Sequence, residues 1–124
     1  LLDKDVEILR RRLLSIEVQA ANLPWAHERH WRVRGRIRRE HGLPLVDLHG
    51  LNQHLAEEVV TKLLGCCETI NARGIRIVTG HGRNSPDGFS VLQWMVERRL
   101  DQERGPGWRV QQPNEGAFDL LREE

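Results

Sequence analysis

The sequence predicts an α/β fold of the two-layer α+β type, with a helix and a basic arm preceding a β-α-β-α-β-β unit. Two observations lead to this prediction. Apolar residues recur at helical spacing in three segments, and short apolar runs of strand length alternate with them after residue 42. The chain has 124 residues, which suits one core and leaves no room for a second, cofactor-binding domain. We divide it into an N-terminal extension, residues 1–40, and a domain over residues 41–124.

The N-terminal extension is predicted to begin with a helix from Leu2 to about Ala21, because apolar residues recur there at steps of three and four. Three acidic residues, Asp5 among them, lie in its first turn, where the helix dipole favours negative charge. Pro24 ends the helix, since proline moves the residue before it out of the helical region.

In the next segment, Trp25 to His41, the residues Trp31, Val33, Gly35 and Ile37 alternate with arginines. Period two predicts a strand with an apolar edge on one side and a row of arginines on the other. Gly35 is unfavourable inside a strand, so a basic helix or an extended arm stays open as an alternative. The arginines in this row are Arg32, Arg34, Arg36 and Arg38.

The remaining elements follow from the same two periodicities. They are a strand over 43–50, a helix over 51–70 with Asn52 as its N-cap and Gly74 as its end, a strand over 75–78, a helix opened by Ser85-Pro86-Asp87 that continues to Leu100, and a strand pair over 108–111 and 117–121.

The net charge of +1 hides an uneven distribution. Residues 1–46 carry ten basic and six acidic side chains, whereas residues 47–124 carry nine and twelve. Six arginines without an acid fall between Arg29 and Arg39. With Trp25 and Trp31 nearby, this segment suits phosphates and stacked bases, so we expect an anionic partner on this side. A solvated face, or an edge strand protected by charge, is the alternative.

Two polar motifs follow the first two strands of the domain. Asp47 and His49 end the first strand, and the segment 79–85 follows the second. A right-handed β-α-β crossover makes these strands parallel, and open α/β sheets bind ligands at the carboxyl ends of their parallel strands. We therefore expect both motifs to line one crevice.

Asp47 and His49 are candidates for a general-base pair. Residues two apart on a strand project to the same side, and a carboxylate beside an imidazole fixes its tautomer and raises its basicity. The alternative is that Asp47 caps the turn and that His49 is a partly exposed residue at a bend. The spacing by itself favours this second interpretation.

The segment 79–85 is a candidate phosphate-binding loop. Free N–H groups of a glycine turn at a helix N-terminus bind anions, and an arginine adds positive charge. The Lys-Ser/Thr pair of a Walker A sequence is missing, so we do not expect ATP hydrolysis. A plain loop is the alternative. The residues assigned to the loop are Thr79, Gly80, His81, Gly82, Arg83 and Ser85.

Cys66 and Cys67 are adjacent within an apolar run, which suits neither a disulfide framework nor a zinc site. We expect buried free thiols in a reducing compartment, the cytoplasm or an organellar matrix, and not secretion. No apolar stretch approaches the roughly twenty residues that cross a bilayer. The chain starts at Leu1 and not at Met, so we expect it to be a piece of a longer protein.

The succession of Asp47-Leu48-His49-Gly50-Leu51, a helix and Ile77–Ser85 resembles the Smr (small MutS-related) domain family. That family carries an Asp-Leu-His-Gly motif after its first strand and a Thr-Gly-x-Gly-x-x-Ser motif after its second. The resemblance covers about residues 43–123 and leaves residues 1–40 outside. Many members have a histidine where this chain has Asn84, so no role is carried over to that side chain.

The resemblance implies a nucleic-acid endonuclease that cleaves RNA or nicks DNA, and we favour RNA. Asp47 and His49 would be catalytic, with His49 taking the proton of a 2′-hydroxyl or polarising the scissile phosphate. The loop 79–85 would bind the phosphate, and the arginine row would hold the strand. No cofactor is expected; a divalent metal ion stays open but has no support in the sequence. Nucleic acid is the expected partner, a membrane is not, and the oligomeric state is left open.

A non-catalytic binding module is the main alternative. The same fold would then recognise structured RNA, a ribosome or another ribonucleoprotein particle through its N-terminal extension. Deleting residues 1–40 is expected to separate the two functions, since a nuclease keeps some activity on short RNA and an anchor loses its association. The extension could also be a linker or a packing helix of a larger chain.

Overall fold

A computed structural model describes residues 2–22, 32–80 and 90–123 of the protein. Its elements, in chain order, are α1 (Leu2–Ala21), α2 (Val33–Arg36), β1 (Ile37–Glu40), β2 (Leu43–Asp47), α3 (Gln53–Cys66), a 3₁₀ turn (Cys67–Thr69), β3 (Gly74–Val78), α4 (Val91–Glu103), β4 (Trp108–Asn114) and β5 (Ala117–Arg122). The α+β fold class and the succession β-α-β-α-β-β after residue 42 are confirmed.

The strands form one mixed sheet in the order β1-β2-β3-β5-β4. Strands β2 and β3 are parallel, with Val46 opposite Ile77, and helix α3 forms the crossover between them. The other three pairings are antiparallel. The predicted parallel pair is therefore present, and its carboxyl ends lie side by side.

The helices α1, α3 and α4 share one hydrophobic core with the sheet. Alternate strand residues such as Val46, Ile77 and Phe118 face this core and are almost fully buried. The inner stripe of α1 belongs to the same core, with Leu9 and Leu13 at 0% exposure. At about 25 cal/mol per Å² of buried apolar surface, such residues each contribute about 1.5–3 kcal/mol to folding.

Helix α1 is also fixed to the sheet by a buried carboxylate. Asp5 is fully buried, and its two oxygens accept hydrogen bonds from the backbone amides of Asn71 (2.8 Å) and Ala72 (2.7 Å), just before β3. The sequence placed Asp5 in the first turn for its favourable interaction with the helix dipole. The structure gives it a longer-range role, because it connects the extension to a loop more than sixty residues away.

Charged residues cross the opposite face of the sheet. Arg76 on β3 donates to both carboxylate oxygens of Asp119 on β5 (2.8 and 2.9 Å) and lies 3.7 Å from Glu40 on β1. This hydrogen-bonded partner raises the pKa of Arg76, although partial burial acts in the other direction. A bidentate arginine–carboxylate pair of this kind fixes the register of neighbouring strands as well as their charge.

The strand predicted from the alternation at residues 31–38 is wrong for residues 33–36, which form a single helical turn, in line with the helical alternative. Val33 and Ile37 are four residues apart and both buried, so one turn of helix places them on the same side, against the core. Gly35, the residue that weakened the strand prediction, is exposed. Only Ile37–Glu40 is extended, and the preceding segment 23–31 lies outside the described residues.

Strand β1 turns into β2 through His41 and Gly42, whose φ angles are 50° and 81°. Two central residues of positive φ are typical of the tight turns that match the twist of a β-hairpin. The run of basic residues before residue 41 gives no sign of this hairpin in the sequence. The hairpin makes β1 an edge strand of the sheet, next to β2.

Two helix boundaries differ from their predictions. Asn52 caps α3 as predicted, by accepting from the amide of Leu55 (2.9 Å), but the helix ends at Cys66. Gly74 begins β3 and does not end the helix. This position requires glycine, because a Cβ there would lie 2.2 Å from the backbone oxygen of Leu120. Strand β3 can approach β5 this closely only without a side chain at this position.

Helix α4 begins later than predicted. Its N-cap is Ser90, which accepts from the amide of Gln93 (3.1 Å), whereas Ser85-Pro86-Asp87 lies outside the described residues. Trp94 on this helix is 47% exposed, and the guanidinium of Arg98 lies 5.0 Å from its ring centroid.

Cys66 and Cys67 are buried and free, as predicted. Burial raises the pKa of both thiols. The pKa of Cys67 rises to about 12, because the neighbouring Cys66 and Glu68 add to the effect of burial. Both therefore stay protonated near neutral pH, and a protonated buried thiol behaves as a small apolar side chain. Within the described ranges, no helix is both long enough and apolar enough to cross a membrane.

Candidate functional site

The carboxyl ends of β2 and β3 bring two of the predicted motifs together. The amide of Leu48 donates to the carbonyl of Val78 (2.7 Å), which continues the pairing of the two strands beyond β2. Gly80 has a φ of 83° and lies against His49, whose Cβ would be 3.7 Å from a Cβ built on the glycine. The Asp47–His49 segment therefore lies beside the start of the glycine segment, as the strand order predicted.

Asp47 holds the backbone of the turn that follows β2. Its Oδ1 accepts a hydrogen bond from the amide of His49 (2.9 Å), whereas the His49 Nδ1 is 3.9 Å from the same oxygen. The second distance is too long for a hydrogen bond. The strand ends at Asp47, so the prediction that both side chains project from one strand is wrong. The alternative interpretation, a carboxylate that caps the turn, describes the observed geometry.

The imidazole of His49 lies at the surface, with 72% of its side chain exposed. An exposed imidazole with an ordered backbone is accessible to a large substrate, whereas a buried one is restricted to small molecules. The Asp47 carboxylate is much less exposed, at 19%, and contributes a negative charge beside the ring.

Arg36 from the N-terminal extension reaches this turn. Its Nη1 donates to the carbonyl of Asp47 (3.2 Å) and to that of His49 (2.6 Å). Burial lowers the pKa of the Arg36 guanidinium, and the charge of Asp47 acts in the opposite direction. Arg38 lies one residue beyond the start of β1, with its Nη1 4.0 Å from Asp47 Oδ2 and half of its side chain exposed.

The predicted row of four arginines along one strand is absent, because Val33–Arg36 is helical. Arg32 precedes this turn, is 64% exposed and lies 3.9 Å from Glu17 of α1. Arg34 belongs to the turn, and its side chain lies outside the described structure. Of the three arginines whose side chains are described, Arg36 donates to carbonyls of the Asp47–His49 segment, Arg38 lies 4.0 Å from the Asp47 carboxylate, and Arg32 lies beside Glu17 instead.

Thr79 and Gly80 are bonded to the protein itself. Their amides donate to the carbonyl of Gly116 (2.8 and 3.2 Å), and the Thr79 hydroxyl lies within hydrogen-bond distance of the carbonyls of Gly80 and Gly116. Thr79 is buried. In this conformation the two amides are not available to a phosphate, so they support the start of the loop. His81, Gly82, Arg83 and Ser85, the other residues assigned to the loop, lie outside the described residues.

Gln93 in the first turn of α4 fixes the same segment from the helix side. Its Nε2 donates to the carbonyl of Gly80 (2.6 Å) and to that of Glu115. Gln93 was not predicted from the sequence, because a glutamine on an amphipathic helix has the pattern of an ordinary solvated residue. The structure therefore adds Gln93 to the residues that shape the site.

The described residues contain no group of three or more His, Cys, Asp or Glu side chains that could hold a metal ion. At the site itself, Asp47 and His49 are the two groups of this kind that lie together.

Comparisons with known proteins agree with these observations. The family model of the Smr domain matches residues 46–118. Among solved structures, the chain is similar to the solution structure of the SMR domain of NEDD4-binding protein 2, with a TM-score of 0.47 and 19% sequence identity. That alignment covers 70% of this chain and 93% of the other. The comparison with curated proteins gave no significant match. Since the family model covers more than half of the chain and includes both motifs, this protein belongs to the Smr domain family.

Proposed function

We propose that this protein is an Smr-type endonuclease and that its substrate is RNA rather than DNA. Smr domains are associated in general with nuclease activity or nucleic-acid binding. One observation carries the proposal: the exposed imidazole of His49 lies on a turn that is held by Asp47 and Arg36 and lies beside Gly80. A phosphodiester bound near Gly80 would lie beside that imidazole.

In the proposed reaction, His49 accepts the proton of the 2′-hydroxyl next to the scissile phosphate. The 2′-oxygen then forms a bond to phosphorus while the bond from phosphorus to the 5′-oxygen breaks, and the leaving oxygen takes a proton from water. The products are a 2′,3′-cyclic phosphate and a free 5′-hydroxyl. Arg83 and the amides of the loop beyond Gly80 would stabilise the negative charge that develops on the phosphate oxygens. DNA lacks the 2′-hydroxyl, so this reaction is specific for RNA.

The experiment compares the same substitution at two exposed histidines. His49→Asn removes the proton acceptor, and the control His41→Asn changes the hairpin turn at the opposite end of β2, where asparagine tolerates the positive φ. Labelled single-stranded RNA and duplex DNA are incubated with each protein, with and without a chelator, and the product ends are identified. We expect a cyclic phosphate end in chelator, and a loss of about 10²–10⁴-fold for His49→Asn alone. Equal cleavage by His49→Asn and the wild type would exclude this mechanism.

The binding module remains a second candidate because of the geometry of the Asp47–His49 pair. Nδ1 and Oδ1 are 3.9 Å apart, so the carboxylate does not orient the imidazole through a hydrogen bond. A module of this kind would hold structured RNA, a ribosome or another ribonucleoprotein without cutting it. It is the better description if the wild-type protein binds RNA in a salt-dependent manner but cleaves neither substrate.

A further inference from the structure

We propose that Arg36 is a positioning residue, which fixes the turn carrying His49 and does not bind the nucleic-acid strand. The inference about catalysis rests on the proposed function, whereas the inference about the turn does not. It changes the role expected for Arg36 from the sequence, where all four arginines of the segment were assigned to the strand. It also adds to the site a residue that lies before the matched family segment, residues 46–118.

The contacts of Arg36 determine this role. A single guanidinium nitrogen donates to two carbonyls that flank Leu48, those of Asp47 and His49. The carboxylate of Asp47 fixes the same turn from the other direction, by accepting from the amide of His49. The turn is thus held through both its donor and its acceptor groups. Rotation of the His49 backbone would break at least one of these bonds.

The surroundings of Arg36 differ from those of a strand-binding arginine. It is half-buried, and burial lowers the pKa of its guanidinium, which means that the protein has removed part of its hydration. The side chains of Arg32 and Arg38 are 64% and 50% exposed. Binding to phosphates along a flexible strand requires an exposed cation that exchanges its counterions. Arg32 and Arg38 fit this requirement better than Arg36 does.

Helix α1 holds Arg36 in place. Arg10 donates through Nε (3.2 Å) and Nη2 (2.9 Å) to the carbonyl of Ile37, the residue directly after Arg36. Ile37 is fully buried and opposite Val46 in the register of β1 and β2. Arg36 therefore projects from a rigid junction toward the residue that follows Val46, Asp47. The extension contributes to the site through this junction, and not only through its charge.

The test compares Arg36→Gln with the matched control Arg38→Gln, which removes the same charge two residues away. The first readout needs no cleavage: NMR measures the exchange rate of the His49 amide with water. We expect Arg36→Gln to accelerate this exchange on the order of tenfold, since the turn that keeps the amide on Asp47 is loosened. We expect Arg38→Gln to change it by less than about twofold, because the Arg38 guanidinium lies 4.0 Å from Asp47 Oδ2, beyond hydrogen-bond distance. The amide of Leu48, bonded across the sheet, reports whether the fold is intact in both variants.

The second readout is the kinetics of RNA cleavage. We expect Arg36→Gln to lower kcat by about ten- to a hundredfold at nearly constant KM, because a displaced catalytic group affects the chemical step. We expect Arg38→Gln to raise KM. We also expect the slope of the logarithm of the RNA-binding constant against the logarithm of the salt concentration to become shallower by about 0.7, as after the loss of one phosphate contact to a single strand. Arg36→Lys keeps a charged donor and is expected to recover part of the lost kcat.

The outcomes separate this proposal from the proposed function. If Arg36→Gln leaves the exchange of the His49 amide unchanged and reduces the salt dependence as Arg38→Gln does, Arg36 binds the strand and the positioning role is wrong. If the wild-type protein cleaves no RNA, the nuclease function fails, and the exchange rates still decide whether Arg36 fixes the turn. If Arg36→Gln does not fold, the exchange rate of the His49 amide in Arg36→Lys decides whether Arg36 fixes the turn.

Discussion

The buried carboxylate of Asp5 provides the most direct measure of how strongly the N-terminal extension is joined to the rest of the molecule. Asp5→Ala removes two hydrogen bonds to the amides of Asn71 and Ala72 and leaves both donors without this partner. A hydrogen bond to a charged group contributes about 1.5–3 kcal/mol, and water recovers part of this at the amides of Asn71, which is exposed, and Ala72, which is partly buried. We therefore expect Asp5→Ala to lower the free energy of unfolding by about 3–5 kcal/mol, a large part of the roughly 5–15 kcal/mol of a typical domain.

Urea unfolding followed by circular dichroism measures this change. Asp5→Asn retains one acceptor oxygen, so we expect about half the loss of Asp5→Ala. Lys4→Ala is the control, because Lys4 is the exposed neighbour on the same helical turn and should change the free energy of unfolding by less than about 0.5 kcal/mol. If Asp5→Ala costs less than about 1 kcal/mol, or no more than Lys4→Ala, the two bonds do not join the extension to the loop before β3, and the reasoning fails.

Three further substitutions test other contacts. Gly74→Ala places a Cβ 2.2 Å from a backbone oxygen of β5, so we expect urea unfolding to show a loss of about 2–3 kcal/mol, and a loss below 0.5 kcal/mol would contradict the close approach. Gln93→Leu removes the donor to Gly80 and should cost about 1–2 kcal/mol, against almost nothing for the exposed Gln102→Leu; equal costs would contradict the contact. Burial raises the pKa of Cys67 from 9.0 to about 12. Between these pH values the thiol of the unfolded chain loses its proton whereas the buried thiol keeps it, so the free energy of unfolding falls as pH rises. We expect Cys67→Ala to reduce the stability lost between pH 8 and pH 10 by about 1 kcal/mol, and an unchanged loss in urea titrations would refute the buried thiol.

Local patterns in the sequence identified the elements that depend on neighbouring residues. The helix over Leu2–Ala21, the Asn52 cap and the parallel pair β2 and β3 were predicted, because periodicity, a capping side chain and the right-handed crossover act over short distances or follow general rules. The same rules placed the Asp47–His49 segment beside Gly80, where the structure also has it. The roles of these residues in catalysis stay predictions.

Contacts between distant segments were not visible in the sequence. The bonds of Asp5 span more than sixty residues, and the bond from Gln93 to the carbonyl of Glu115 joins two elements with no shared pattern. Arg36 was assigned to the strand-binding segment because an arginine in a basic run gives no sign that its partners are carbonyls. The strand was preferred to the helical alternative at Val33–Arg36 for a different reason: four residues alternating in polarity fit a strand, and the burial of Val33 depends on packing against distant elements.

The structure also changes which experiment can separate a nuclease from an anchor. Deleting residues 1–40 would remove β1 and turn the buried strand β2 into an edge with unpaired backbone groups, and would uncover the core beneath α1. An exposed edge of this kind promotes aggregation, so we expect residues 41–124 alone to be insoluble. The deletion would therefore abolish association and cleavage together. Replacing the exposed arginines Arg32 and Arg38 by glutamine keeps the sheet and the core. A nuclease should then retain cleavage at raised RNA concentration, whereas a module that only binds should lose its association with the ribonucleoprotein particle. This double substitution therefore distinguishes the two functions, and the deletion does not.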